Sequence, residues 1–348
     1  MSVTKERLSN IELLRIISMM MILVLHANYL GIGTPVFADL LSAPLLTVLR
    51  CMLESLSIVA VDVFVLISGW FGIRFSFQKL GMLCFQVLFF SLGFYIVFAI
   101  ISPQDAFTVE KIKSILLLNG DLWFVKAYII LFLLSPIQNS FIEHATKQQF
   151  FIVLVAFYSF QTVYGWMMDA SVQFTMNGTT GLSFFGLYLL GRYLRLYPFR
   201  YSQLSKRKDL IIYLGLALLM CVCNIVLLYL GKTVTVTGRL YSYASPIVIL
   251  ASVYLLLFFS KLSFTNRSVN WIASSCFAVY LFHCNGFFFD RYYRKMIEYI
   301  YFDSGYAVLG IATYIILIYA IAVLLDKVRM FLWNRIGLLN HCVKDDTL

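Results

Sequence analysis

Apolar residues run along this chain in long blocks of about twenty residues, separated by short stretches where charged and polar residues concentrate. At a rise of about 1.5 Å per residue, a block of that length matches the hydrocarbon core of a bilayer, so each is read as a spanning helix. A window of about 19 residues predicts about ten spans, at roughly 12–30, 50–73, 80–101, 122–140, 149–167, 181–198, 209–230, 240–260, 270–289 and 305–326. The loops between them are about ten to twenty residues long, which leaves no room for a soluble catalytic domain. The expectation is an all-α, polytopic membrane protein with a single transmembrane domain over residues 1–348. Its helical core covers roughly 12–326 and a cytoplasmic tail follows at roughly 327–348. No internal repeat and no matched pair of broken helices stands out, which weighs against a transporter built from inverted repeats.

Composition agrees with this pattern. The chain is 61% hydrophobic and 13% charged, with a mean hydropathy of +0.86. Soluble domains run near about 45–50% apolar and about 25% charged. The net charge of +10 is no nucleic-acid signal, because the basic residues sit between apolar blocks, where they set topology and face anionic lipid. With the N-terminus inside, the inner segments hold about 17 lysines and arginines and the outer ones about 9, so both termini are placed in the cytoplasm. The densest cluster, "GRYLRLYPFRYSQLSKRK" (Gly191 to Lys208), falls on the inner side. The seven cysteines include no C-x-x-C and are odd in number, so neither a disulfide framework nor a metal site is expected. Lys5 and Arg7 before an apolar run imitate a signal peptide. No small-x-small cleavage site follows and the run is long enough to span, so the segment reads as a retained helix.

The first span holds two residues that lipid disfavours, Arg15 and His26 in "RIISMMMILVLHAN". Eleven residues at about 100° each come to only some 20° past three full turns, so both face one way, separated by roughly 16 Å along the axis. Glu12, one turn before Arg15, is its natural partner on the helix. One reading is a site that crosses much of the bilayer, with a cation at the cytosolic mouth and a general base deeper in. The other is an arginine snorkelling to the headgroups and a histidine bonding a neighbouring helix.

"IELLRIISMMMILVLHAN" resembles the opening helix of the acyltransferase-3 family of membrane acyltransferases, with its arginine, ten intervening residues and histidine. "VDVFVLISGWFGIR" (Val61 to Arg74) is similar to that family's Asp-containing, Phe-rich helix with a Ser-Gly-aromatic ending. "LWFVKAYIILFLLSP" (Leu122 to Pro136), "FFGLYLLGRYLR" and "FAVYLFH" (Phe277 to His283) resemble further segments of polysaccharide-modifying members, in the expected order over most of the chain. The resemblance implies transfer of an acyl group, commonly acetyl, from cytosolic acyl-CoA to a hydroxyl of an extracytoplasmic glycan or its lipid-linked precursor. It implies residence in the bacterial cytoplasmic membrane, with His26 as the catalytic histidine and Arg15 holding the donor.

The chemistry suits those residues. A sugar hydroxyl is a poor nucleophile, and a histidine near neutral pKa accepts its proton during attack on the thioester, which contributes roughly 10²–10⁴-fold. The donor's phosphates call for guanidinium groups at the membrane surface, while its thin pantetheine arm threads between helices. Glu12, Arg15 and Arg74 form the expected donor-binding set, although Arg74 also reads as a positive-inside anchor, as do Arg192 and Arg195. Asp62, in the second span, fits either orientation of His26, pairing with Arg15, or a buried tie between helices. Ser68-Gly69 reads as a close helix approach. Trp123 fits an interfacial belt or a glycan-stacking platform, and Lys126 one turn inside must be paired or lead to water. His283 fits acceptor binding or helix packing. Two other functions compete. A transporter or flippase for a lipid-linked sugar predicts broken helices and charge spread through mid-chain spans, and a glycan polymerase predicts a large outer loop.

Overall fold

The computed structural model describes residues 8–168, 176–232, 236–303, 305 and 307–345; Lys5 and Arg7 lie outside them. The described residues form helices and no strand. In chain order these are α1 (Ser9–Leu25), α2 (Phe37–Ser42), α3 (Pro44–Ser57), α4 (Ala60–Phe71), α5 (Phe77–Ile101), α6 (Pro103–Ala106), α7 (Val109–Ile115) and α8 (Trp123–His144). They continue with α9 (Lys147–Phe160), α10 (Gly181–Leu196), α11 (Lys206–Tyr229), α12 (Pro246–Ser260), α13 (Arg267–Ala273), α14 (Cys276–His283), α15 (Arg294–Asp303) and α16 (Ala307–Asp345). Two helices run on in a wider π form, α1 through His26–Ile32 and α9 through Gln161–Met168.

Among the described residues, seven stretches are long and apolar enough to cross a membrane: Ser9–Ile32, Pro44–Phe71, Phe77–Ile101, Trp123–His144, Lys147–Met168, Lys206–Tyr229 and Ala307–Arg335. The protein is therefore a multi-pass, all-helical membrane protein. The other three expected spans are shorter helices: α10 with 16 residues, α12 with 15, and α14 with 8. The stretch expected to be tail is not separate from the last span, since α16 continues as helix to Asp345.

Contacts divide the chain into two compact units, each assembled from separate segments. The first comprises residues 1–75 and 123–270, the second 76–122 and 271–348. Within the first unit α1 packs against α3, α4 and α12, and α4 lies against α10. The α4–α10 contact is backbone on backbone: a Cβ on Gly69 would strike the Tyr188 carbonyl, and one on Gly191 would strike the Leu66 carbonyl. Lipid supplies no hydrophobic drive between helices, so this close fit by small residues is the source of their cohesion, as expected for Ser68-Gly69.

The second expected span differs most from its prediction. It starts six residues earlier, with Pro44 at the first helical position, where its missing N–H costs nothing. It also breaks at Ile58–Val59, which the apolar pattern does not show, so a broken helix is present where none was expected. Side chains from neighbouring helices reach the backbone on both sides of the break: Tyr213 donates to the Leu56 carbonyl at 2.8 Å, and Ser252 donates at 3.3 Å to the Val59 carbonyl, which also accepts from the Val63 N–H at 3.0 Å. Such partners are what make an interrupted helix tolerable away from water.

In the second unit α5 packs against α14 and α16. Phe94 meets Phe282 at 5.1 Å and Phe98 meets Phe287 at 5.1 Å between ring centroids. Asp326, fully buried, accepts from Gln86 at 3.0 Å and from Arg329 at 2.6 Å, tying α5 to α16.

Gly69→Ala and Gly191→Ala are each expected to destabilise the protein by about 1–3 kcal/mol, because a methyl group has to push two backbones apart. Thermal unfolding in detergent checks this, with Gly93→Ala on α5 as the control, since a Cβ there meets nothing within 4 Å.

Candidate active site

Because α1 stays α-helical from Ser9 to Leu25, the eleven-residue spacing keeps Arg15 and His26 on one face. Arg15 pairs with Glu12 at 3.1 Å, as their spacing predicts, and its side chain is about a third exposed while Glu12 is buried. His26 is partly buried and stands where the helix changes form: its backbone N–H reaches both Ile22 and Leu23 carbonyls, and the π turn starts there. π segments of this kind recur at functional sites because they redirect side chains that a regular helix would place elsewhere.

The chain leaves through α1 and returns through α3 and α4, which pack against it, so Arg74 comes back to the Arg15 end. Arg74 is exposed there. The bend before it is built: Gly72 takes φ +77°, which suits glycine, and the next residue is gripped at both backbone groups. Ile73 N–H donates to the Tyr188 hydroxyl at 3.0 Å, and the Ile73 carbonyl accepts from Asn139 at 2.7 Å. Tyr188 in turn donates to Asn139 at 2.7 Å, closing a triangle among α4, α8 and α10. The Arg192 guanidinium lies beside Gly72, and Arg195 stacks over Trp70 at 5.1 Å. Three arginines are thus gathered around one helix end.

Asp62 does not join His26 or Arg15. It is fully buried in the first turn of α4, just past the break, and neither carboxylate oxygen has a hydrogen-bond partner among the described residues. The Tyr158 hydroxyl lies within its electrostatic reach. The helix N-terminus it occupies favours a carboxylate, which is the local reason this position accepts one.

Trp123 opens α8 within an aromatic cluster, 5.9 Å from Tyr243 at 31° and edge-on to Phe184 at 6.2 Å. Lys126 lies one turn further in and is partly buried. His283 belongs to the second unit, where it is fully buried, with Nδ1 2.6 Å from the Val279 carbonyl and Nε2 3.3 Å from Cys284 Sγ.

A buried polar network beyond His26 had no counterpart in the sequence reading. Asn28 donates from Nδ2 to Glu54 at 2.9 Å and to the Arg50 carbonyl at 2.9 Å, while Arg50 Nε donates to Asn28 Oδ1 at 2.9 Å. Arg50 also donates to the Asn28 carbonyl at 3.4 Å and to the Gly33 carbonyl. Alongside, Asn224 donates to the hydroxyls of Tyr29 at 2.6 Å and Tyr241 at 2.9 Å, and Tyr241 meets Ser55 at 2.7 Å. The available signal was Pro44, a helix start that places Arg50 and Glu54 inside the span at i,i+4 rather than at its edge.

The chain matches the profile of the acyltransferase-3 family, described as an acyltransferase domain, over residues 8–327, and it belongs to that family. It is a membrane acyltransferase. Comparison with curated proteins and with solved structures finds no match.

Two buried carboxylates of this unit, Glu54 and Asp62, are expected to respond oppositely to neutralisation. Glu54→Leu strands Arg50 and costs about 3–5 kcal/mol, whereas Asp62→Asn, which removes an unpartnered charge, costs less than about 1 kcal/mol or stabilises. Detergent-melting curves of the two variants provide the comparison.

Proposed function

We propose that this protein is an O-acyltransferase that moves an acyl group, acetyl in the simplest case, from cytosolic acyl-CoA to a hydroxyl of a surface polysaccharide or its lipid-linked precursor. In this reading about ten passes leave both termini in the cytoplasm of a bacterial cell, with the Arg15 end of the first unit facing inward. The observation that carries it is the unbroken α1, which keeps a guanidinium and an imidazole on one face, roughly 16 Å apart along the axis.

Arg15, oriented by Glu12, joins Arg74 and Arg192 in binding the nucleotide phosphates, for which planar guanidinium forks are well suited. Arg195 is held over Trp70 and extends the same positive surface. The pantetheine arm lies along the α1 face toward His26. As the sugar hydroxyl oxygen attacks the thioester carbonyl, His26 takes the hydroxyl proton and returns it to the departing sulfur, leaving an ester and free CoA thiol. Trp123 offers an aromatic face to the acceptor, and Lys126 offers a hydrogen-bond donor. Asp62, which touches neither Arg15 nor His26, has no part in this proton path.

His26→Ala and His26→Gln are expected to insert normally, bind acetyl-CoA as the native protein does, and lose about 10²–10⁴-fold in transfer. Radiolabelled acetyl-CoA supplied to membranes carrying the native glycan measures this, and undiminished labelling of the glycan by His26→Ala would refute the base assignment. Arg15→Ala is expected to weaken acetyl-CoA binding, which equilibrium binding on the purified protein tests.

A further inference from the structure

The role of Arg50, Asn28 and Glu54 goes beyond holding helices together. We propose that they form a clamp that fixes the α-to-π junction of the first span and thereby aims the His26 ring; Arg50 is a positioning residue for acyl transfer. This inference rests on the reading of His26 as the general base.

A π turn accommodates one residue more than an α turn and is stable only where its surroundings hold it. Here one side chain grips it at several points. Arg50 reaches the third residue of the π turn through both the carbonyl and the side-chain oxygen of Asn28, and reaches Gly33, the residue just past the turn, through its carbonyl. Gly33 takes φ +101°, so the chain reverses there without a side chain in the way. Glu54, one turn along α3 from Arg50, accepts from the Asn28 amide, so that amide is fixed from both sides. Arg50 and Glu54 are only 7% and 5% exposed, which is costly for charged groups that serve packing alone, since apolar residues of similar volume stabilise at least as well. What a buried guanidinium fork adds is one defined geometry. If the clamp is released, the extra residue of the π turn is free to move along the helix, and the junction no longer has to fall at His26. The ring would then turn away from the direction that the junction sets.

The test uses the full-length protein in detergent or vesicles, with acetyl-CoA as the probe. Acetyl-CoA binding counts competent sites, and transfer of label to the glycan of native membranes gives turnover per site. Arg50→Lys keeps the charge but loses the fork. It is expected to retain sites and donor affinity while turnover per site falls about tenfold or more, as sub-ångström misplacement of a catalytic group does. The double variant R50M/E54M removes both charges without stranding either, and is expected to show the same fall. Turnover per site within about twofold of native in both Arg50→Lys and the double variant would overturn the proposal. So would losses of turnover that only follow losses of binding sites, because that is the mark of a purely structural role. The two readings separate through His26→Ala. If that variant still transfers, the base assignment fails whatever Arg50 does; if it is inactive while Arg50→Lys is normal, the clamp alone fails.

Discussion

Polar groups in this protein have to find their partners inside it, because the surrounding hydrocarbon offers none. This constraint shapes the first unit. The broken span between α3 and α4 is supported by Tyr213 and Ser252, which donate to the Leu56 and Val59 carbonyls beside the break. The bend at Gly72 persists because Tyr188 and Asn139 take both backbone groups of Ile73. The wide turn after His26 is held by a guanidinium with several acceptors. In each case an irregular stretch of backbone is paired with side chains from another helix, and each of these stretches lies next to a residue with candidate chemistry. Asp62 is an exception, since neither of its carboxylate oxygens has a hydrogen-bond partner among the described residues, and its isolation separates it from the residues that the proposed transfer uses.

Much of the fold was legible in the sequence because a spanning helix is mainly a matter of length and apolarity. The first, third, fourth, fifth, seventh and tenth predicted spans correspond to long helices, with ends that differ by a few residues except at the C-terminus of the tenth, which runs on to Asp345. Helix breaks were not legible. Neither Gly nor Pro marks Ile58–Val59 or Ser274–Ser275, and what permits those breaks sits on other helices, beyond the reach of any local pattern. The division into two units assembled from separate segments was likewise invisible, since it depends on which helices touch.

The candidate site divides in the same way. Arg15, Glu12 and His26 were readable because one uninterrupted helix fixes their relation, and helical geometry is known in advance. The pairing expected for Asp62 did not appear, because a carboxylate on another helix points wherever its own backbone sends it. Arg50 and Glu54 were missed for a simpler reason: with the span thought to begin at Arg50, the arginine looked like a residue at the membrane surface. Six further residues of helix, back to Pro44, put it inside.

The contact between α4 and α10 has a mechanical consequence. With bare backbone pressed against backbone at Gly69 and Gly191, no side chain lies between the two helices at those points to flex, rotate or give way. Such a seam is expected to move as one stiff plate, with the Gly72 bend and its neighbouring arginines. Any breathing that admits substrates or releases products therefore falls to helices with softer seams.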